Sequence, residues 1–141
     1  MKRTGFKQKN TKPLKRTKLG KTSKQKISVL KRKLWEMFSK YIRQRDKGIC
    51  FTCDRKCEGS GYHAGHFVPK SVGGMTLYFH EKNVHGQCYN CNINLSGNQY
   101  IYAKRLGLEI AEELYALKGK TLKVDTAWYN EKINYYKDKL K

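Results

Sequence analysis

Residues 50–94 read CFTCDRKCEGSGYHAGHFVPKSVGGMTLYFHEKNVHGQCYNCNIN. Two Cys-x-x-Cys pairs, Cys50/Cys53 and Cys88/Cys91, bracket the stretch, and all four histidines of the chain, His63, His66, His80 and His85, lie between them. Each pair suits a tight turn, or a turn leading into a helix. Four thiolates suit a closed tetrahedral zinc site with Zn–S distances of about 2.3 Å. A closed site leaves no coordination position for water, so its expected role is structural. The 34 residues between the pairs are more than a compact zinc ribbon needs and leave room for a hairpin. Cys57 is read as a spare thiol, with replacement of one ligand as the alternative. Metal binding and folding are coupled in such domains, so removing the zinc should unfold much of this one.

The rest of the chain is short and basic. With 141 residues, 38% hydrophobic and 30% charged, it makes at most one domain with a small core, the kind that needs a staple. Its 31 Lys and Arg against 11 Asp and Glu give a net charge of +20, which calls for a polyanionic partner. Nucleic acid is the first candidate and an anionic membrane surface the second. No segment approaches the ~20 apolar residues of a membrane helix. The basic N-terminus lacks the apolar run of a secretory signal. The expected compartment is therefore the cytoplasm, where thiols stay reduced and paired Cys-x-x-Cys motifs bind metal rather than form disulfides.

Residues 1–26 hold 11 Lys and Arg and no acidic residue. Their few apolar side chains cannot offset the entropy of ordering, so they are read as a disordered basic arm, with 27–141 as the folded domain. Lys12, Lys15, Arg16 and Lys18 represent its phosphate-binding potential. From Ile27 to about Asp46, Ile27, Leu30, Leu34, Met37, Phe38, Tyr41 and Ile42 recur at helical steps. The opposite face is basic, and Lys31, Arg32, Lys33 and Arg43 there are candidate DNA contacts. Trp35 and Phe38 are read as core. Tyr62–Val68 is expected as a short strand, Ser71–Gly74 as a loop and Leu77–Phe79 as a second strand. Helical segments are expected from Cys88–Cys91 through Leu95, over Tyr100–Leu106 and over Leu108–Leu117. Asp125 is expected to cap a last helix that ends near Leu140.

His66 sits between Gly65 and Phe67, with Asn83 downstream and Asn92 directly after the last cysteine. This arrangement resembles the zinc-bound HNH, or ββα-metal, nucleases. In that family a His ends the first strand of a hairpin, an Asn lies in the loop or second strand, and a His or Asn opens the following helix. The basic arm, LWEMFSKYIRQRD, HAGHF, NVHGQCYNCNINLSGN and the C-terminal helix together resemble the phage NinG, or Rap, recombination family. The resemblance implies an α+β fold: a zinc-stapled ββα-metal, treble-clef-like core flanked by helices. It also implies a structure-selective endonuclease that cleaves branched DNA, such as Holliday junctions and D-loops, in a bacterial host. By the same resemblance His66, Asn83 and Asn92 would be catalytic. His66 would take a proton from the attacking water, Asn83 would orient it, and Asn92 would hold Mg²⁺ or Mn²⁺. Many HNH enzymes carry a second metal ligand just before the catalytic His. Here that position is Gly65, so either His63 or His85 substitutes, or Asn92, phosphate and water hold the ion. A homodimer would suit symmetric cleavage of a four-way junction. The competing reading is a non-catalytic zinc module that binds DNA.

Deleting residues 1–26 should weaken DNA binding and flatten its salt dependence. Each phosphate neutralised on B-DNA contributes roughly 0.9 to the slope of log K against log salt. A titration across salt concentrations reads this directly, and an unchanged slope would mean that the arm does not touch DNA.

Overall fold

A computed structural model describes residues 23–141. Lys12, Lys15, Arg16 and Lys18 lie outside the described residues. The periodic apolar residues from Ile27 onward fall on one helix, α1, Ser23–Arg45. Leu34, Phe38 and Ile42 are fully buried on its inner face. At the other end of the chain Asp125 Oδ1 accepts a hydrogen bond from the Trp128 amide at 2.8 Å and opens the last helix, α5 (Thr126–Lys139). This satisfies one of the amides that a helix start leaves unpaired.

The two helices pack on each other within one chain, with Tyr129, Ile133 and Tyr136 of α5 against Leu34, Phe38 and Ile42. Burying a side chain the size of Phe38 contributes roughly 1.5–3 kcal/mol. The apolar stripe at each end of the sequence thus finds its partner at the other end. Among the described residues no helix is long and apolar enough to cross a membrane.

A two-stranded antiparallel sheet lies against α1. β1 is Tyr62–His66 and β2 is Val84–Cys88, in a register that pairs Tyr62 with Cys88 and His66 with Val84. The connection holds a helix, α2 (Lys70–Tyr78), kinked at Gly74, where φ is +61°. The loop expected at Ser71–Gly74 and the strand expected at Leu77–Phe79 are corrected here. Leu77 is buried in a second core with Phe67, Val68, Tyr102, Ala111 and Leu114, whereas Phe79, just past the helix, is buried in the first. A helical turn serves both cores, which the β propensity of Tyr78 and Phe79 does not anticipate.

After β2 comes a single wide π-type turn at Asn90–Asn94, then α3 (Gln99–Leu106) and α4 (Leu108–Ala116). Gly107 separates the last two at φ +84°, a conformation that favours glycine. The architecture is α+β: a small sheet set between a long helix pair and a short one.

A four-cysteine cluster and a histidine–asparagine cleft

The stretch that carries the cysteines folds back on itself. The Cys50 amide donates to Arg55 O and the Asp54 amide to Cys50 O, both at 2.9 Å, and this closes a tight knuckle around Cys50 and Cys53. The Phe51 amide then bonds to Gly86 O at 2.7 Å and pins the knuckle to β2. Cys88 ends β2 and Cys91 lies in the π-type turn. The four sulfur atoms come within 4.8 Å of one another. A tetrahedron with metal–sulfur bonds of about 2.3 Å has sulfur–sulfur edges of about 3.8 Å, and Cys53 Sγ and Cys88 Sγ are 3.8 Å apart.

The group can hold a metal ion such as zinc. Its electrostatics agree with that. Burial opposes the Cys50 thiolate, but hydrogen bonds from Thr52 and from backbone groups outweigh it and bring the thiol down to about 6. Burial pushes the Cys53 thiol up to about 12, and its cysteine neighbours add to the rise. Four thiolates this close need a cation to ionise together. Cys57 packs beside the cluster but bonds through its Sγ to Arg55 O at 3.3 Å and is not one of the four.

His66 ends β1 and is buried. Its Nε2 lies 3.0 Å from Tyr78 O. A carbonyl only accepts, so the neutral ring carries its proton on Nε2 and keeps the lone pair on Nδ1. Trp35 stacks on the ring at 5.3 Å and 25°, and Lys70 Nζ lies 4.0 Å over the other partner of that stack, the Trp35 ring. Burial, reinforced by Lys70, lowers the His66 pKa to about 4 although the Tyr78 carbonyl acts the other way. The ring is therefore neutral at pH 7.

Asn83 is fully buried and does not touch that ring. Its Oδ1 accepts from the Val68 amide at 2.7 Å, and its Nδ2 donates to Val68 O at 3.1 Å and to Leu77 O at 3.0 Å. Its own carbonyl accepts from the Phe67 amide at 2.8 Å. Asn83 thus fixes the chain just after His66 together with the residue just before Tyr78. It sets the two ends of the His66–Tyr78 hydrogen bond.

Asn92 projects from the π-type turn into a cleft with His66, Ala64 and Lys70. The adjoining cleft adds Trp35, Ser39, Arg43 and His63. Trp35, Ser39 and Arg43 recur every four residues, so one face of α1 forms this wall. Trp35, read from the sequence as core, packs against the first core and also lines the cleft. Arg43 lines the cleft, while Lys31 sits over the Tyr78 ring at 4.2 Å. Arg32 and Lys33 are exposed and line neither cleft. Lys70 was not anticipated, and only its place four residues after His66 could have suggested it.

The other two histidine candidates separate. His63 has both nitrogens engaged, Nε2 with Ser60 O and Nδ1 with Asn92 Nδ2, each at 3.0 Å. His85 lies outside both clefts, stacked on Phe51 at 4.0 Å and bonded through Nδ1 to the Tyr102 hydroxyl at 3.0 Å. Gly65 has no room for a side chain. A Cβ there would overlap Gln87 Oε1 and come within 2.9 Å of Asn92 Oδ1.

The sequence profile of the bacteriophage lambda NinG protein matches residues 1–141. The chain belongs to the NinG family. Protein ninG of Escherichia phage lambda is 29% identical over 99 residues, which cover 63% of this chain and 48% of that protein. Protein ninG of Escherichia phage 933W shows the same identity and coverage, and that of Salmonella phage P22 is 28% identical over 99 residues. The chain spans about half the length of these relatives. No solved structure matches it.

Two outcomes follow for this NinG-family chain. Cys88→Ser should give an unfolded or aggregated protein with less than one bound metal, read by metal analysis and circular dichroism; a well-folded, metal-free variant would contradict the staple. The second concerns pH. The unfolded chain protonates His66 near the ordinary 6.5, whereas the folded chain resists down to about 4. Stability from this group is present above about 6.5 and lost as pH falls toward 4. Between pH 7 and pH 5, denaturant titrations should show wild type losing about 2 kcal/mol more than His66→Gln.

Proposed function

We propose that the protein is a metal-dependent DNA endonuclease of the HNH, or ββα-metal, kind. The observation that carries this is His66. It is buried and neutral, its proton is locked on Nε2 by Tyr78 O, and it shares a cleft with Asn92. An antiparallel strand pair followed by a helical turn, with His66 ending one strand and Asn92 in the turn, supports the same reading.

In this reading His66 Nδ1 takes the proton of the attacking water. Asn83 is a positioning residue, since it acts through the backbone on both sides of the His66–Tyr78 bond. Trp35 restrains the ring by stacking. Lys70 and Arg43, which both line the cleft, bind phosphate, and the basic face of α1 extends that surface along the nucleic acid. Asn92, through Oδ1, would hold Mg²⁺ or Mn²⁺. When bound, such an ion would supply positive charge beside the leaving oxygen. The preference for branched DNA, and a place in phage recombination, rest on the family resemblance.

A second reading has one observation in its favour. Gly65 offers no side chain where many HNH enzymes place a metal ligand, and a zinc-containing DNA-binding module needs none.

The two readings part in one assay. The zinc-loaded chain is incubated with a synthetic four-way junction and with linear duplex, in Mg²⁺ or Mn²⁺. The junction should be nicked in preference to the duplex. His66→Ala should cut at least about 10²-fold more slowly with unchanged binding, the usual contribution of a general base. Equal nicking by both proteins removes His66 from the chemistry. Binding without nicking by wild type in either metal leaves the binding module.

A further inference from the structure

We propose that Gln87 supplies the metal-binding oxygen that Gly65 cannot, and that Gln87 Oε1 and Asn92 Oδ1 together form a neutral two-oxygen site for a hard divalent cation. This rests on the reading of Asn92 as a metal ligand given above.

Gln87 lies on β2 beside β1 and is fully buried. Its Nε2 donates to Gly97 O at 2.9 Å and to Thr52 Oγ1 at 3.2 Å. Gly97 O can only accept, so the nitrogen end of the amide must face it. The oxygen end is thereby fixed too, and it points at the place a side chain on residue 65 would occupy. There Oε1 is buried with no hydrogen-bond partner. A buried acceptor left unpaired costs about 1–3 kcal/mol, so its position calls for a ligand.

Asn92 arrives at the same place by the same logic. His63 Nε2 faces Ser60 O and must donate to it, so Nδ1, which faces Asn92 Nδ2, is the acceptor of that second contact. Asn92 Nδ2 therefore donates to His63 Nδ1, and Oδ1 turns the other way, toward Gly65. Two amides have their nitrogens held by the protein and their oxygens converging beside one glycine. Amide oxygens are hard donors that suit Mg²⁺ or Mn²⁺, which fill the remaining positions with water. His63 is then a positioning residue, and no histidine is needed as second ligand.

The test is Mn²⁺ binding by the zinc-loaded full chain, followed by electron paramagnetic resonance of free Mn²⁺. Zinc content and melting temperature report folding. Wild type should bind one Mn²⁺, and Asn92→Ala should lose it. Gln87→Met, similar in length but without the oxygen, should bind at least tenfold more weakly while keeping its zinc. Gln87→Glu, which places a carboxylate there, should bind at least tenfold more tightly. The double variant Gly65→Asp/Gln87→Ala moves the oxygen donor from one strand to the other and should recover wild-type affinity or better.

If Gln87→Met fails to fold, Gln87→Glu and the double variant still decide. Unchanged affinity in Gln87→Glu with no recovery in the double variant overturns the proposal. If Asn92→Ala loses Mn²⁺ while folded Gln87→Met retains it, Gln87 is excluded and Asn92 stands. If wild type binds no Mn²⁺, both the proposal and the reading of Asn92 fail. In crystals soaked with Mn²⁺, an anomalous peak bonded to both oxygens is the expected result, and an ordered water alone on Oε1 would overturn it.

Discussion

Four thiols held within 4.8 Å of one another carry more potential negative charge than their surroundings can stabilise without a cation. That condition governs the middle of the molecule. Once a metal ion satisfies it, the Cys50 knuckle, the end of β2 and the π-type turn are joined at one point. β2 brings Gln87 to that junction and the turn brings Asn92. The cleft is therefore built on the rim of the cluster, and its geometry follows from how tightly the sulfur atoms are tied.

Hydrogen bonds carry the arrangement outward. Thr52 Oγ1 lies 3.4 Å from Cys50 Sγ and accepts from Gln87 Nε2. A hydroxyl that accepts from the amide has its own proton free for a thiolate, so ionised sulfur and the Gln87 orientation favour each other. On the far side of the cleft Asn83 performs a similar service with backbone groups, and through them fixes the His66 ring. Most of the residues that matter here act on another residue rather than on a ligand.

The sequence was most legible where one residue type repeats at a fixed interval. The cysteine pairs, the stripe of α1 and the Asp125 cap were readable because each is a local pattern. Leu77–Phe79 misled because a short apolar run with two aromatic residues says nothing about the two separate cores that claim it. The true second strand, VHGQC, contains a glycine and polar residues and has little strand character by itself. Trp35 packs on the core as its spacing suggests, but its stack on His66 depends on α1 passing under β1, which no local pattern encodes. Gln87 was invisible for a related reason: the role of a buried amide is set by which of its ends the neighbours claim, and no spacing encodes that. The histidine and asparagine roles came from the family resemblance rather than from periodicity or charge.

Gly65 and Gln87 occupy one volume between them. A side chain on residue 65 has to displace the amide of residue 87, and a shorter residue at 87 frees space beside residue 65. The two positions should therefore change together over evolutionary time. Relatives with a carboxylate or any other side chain at the first are expected to carry a smaller residue at the second. An apparent gap in one strand would then be the visible half of an exchange between strands, and a search for the site by single conserved positions would overlook it.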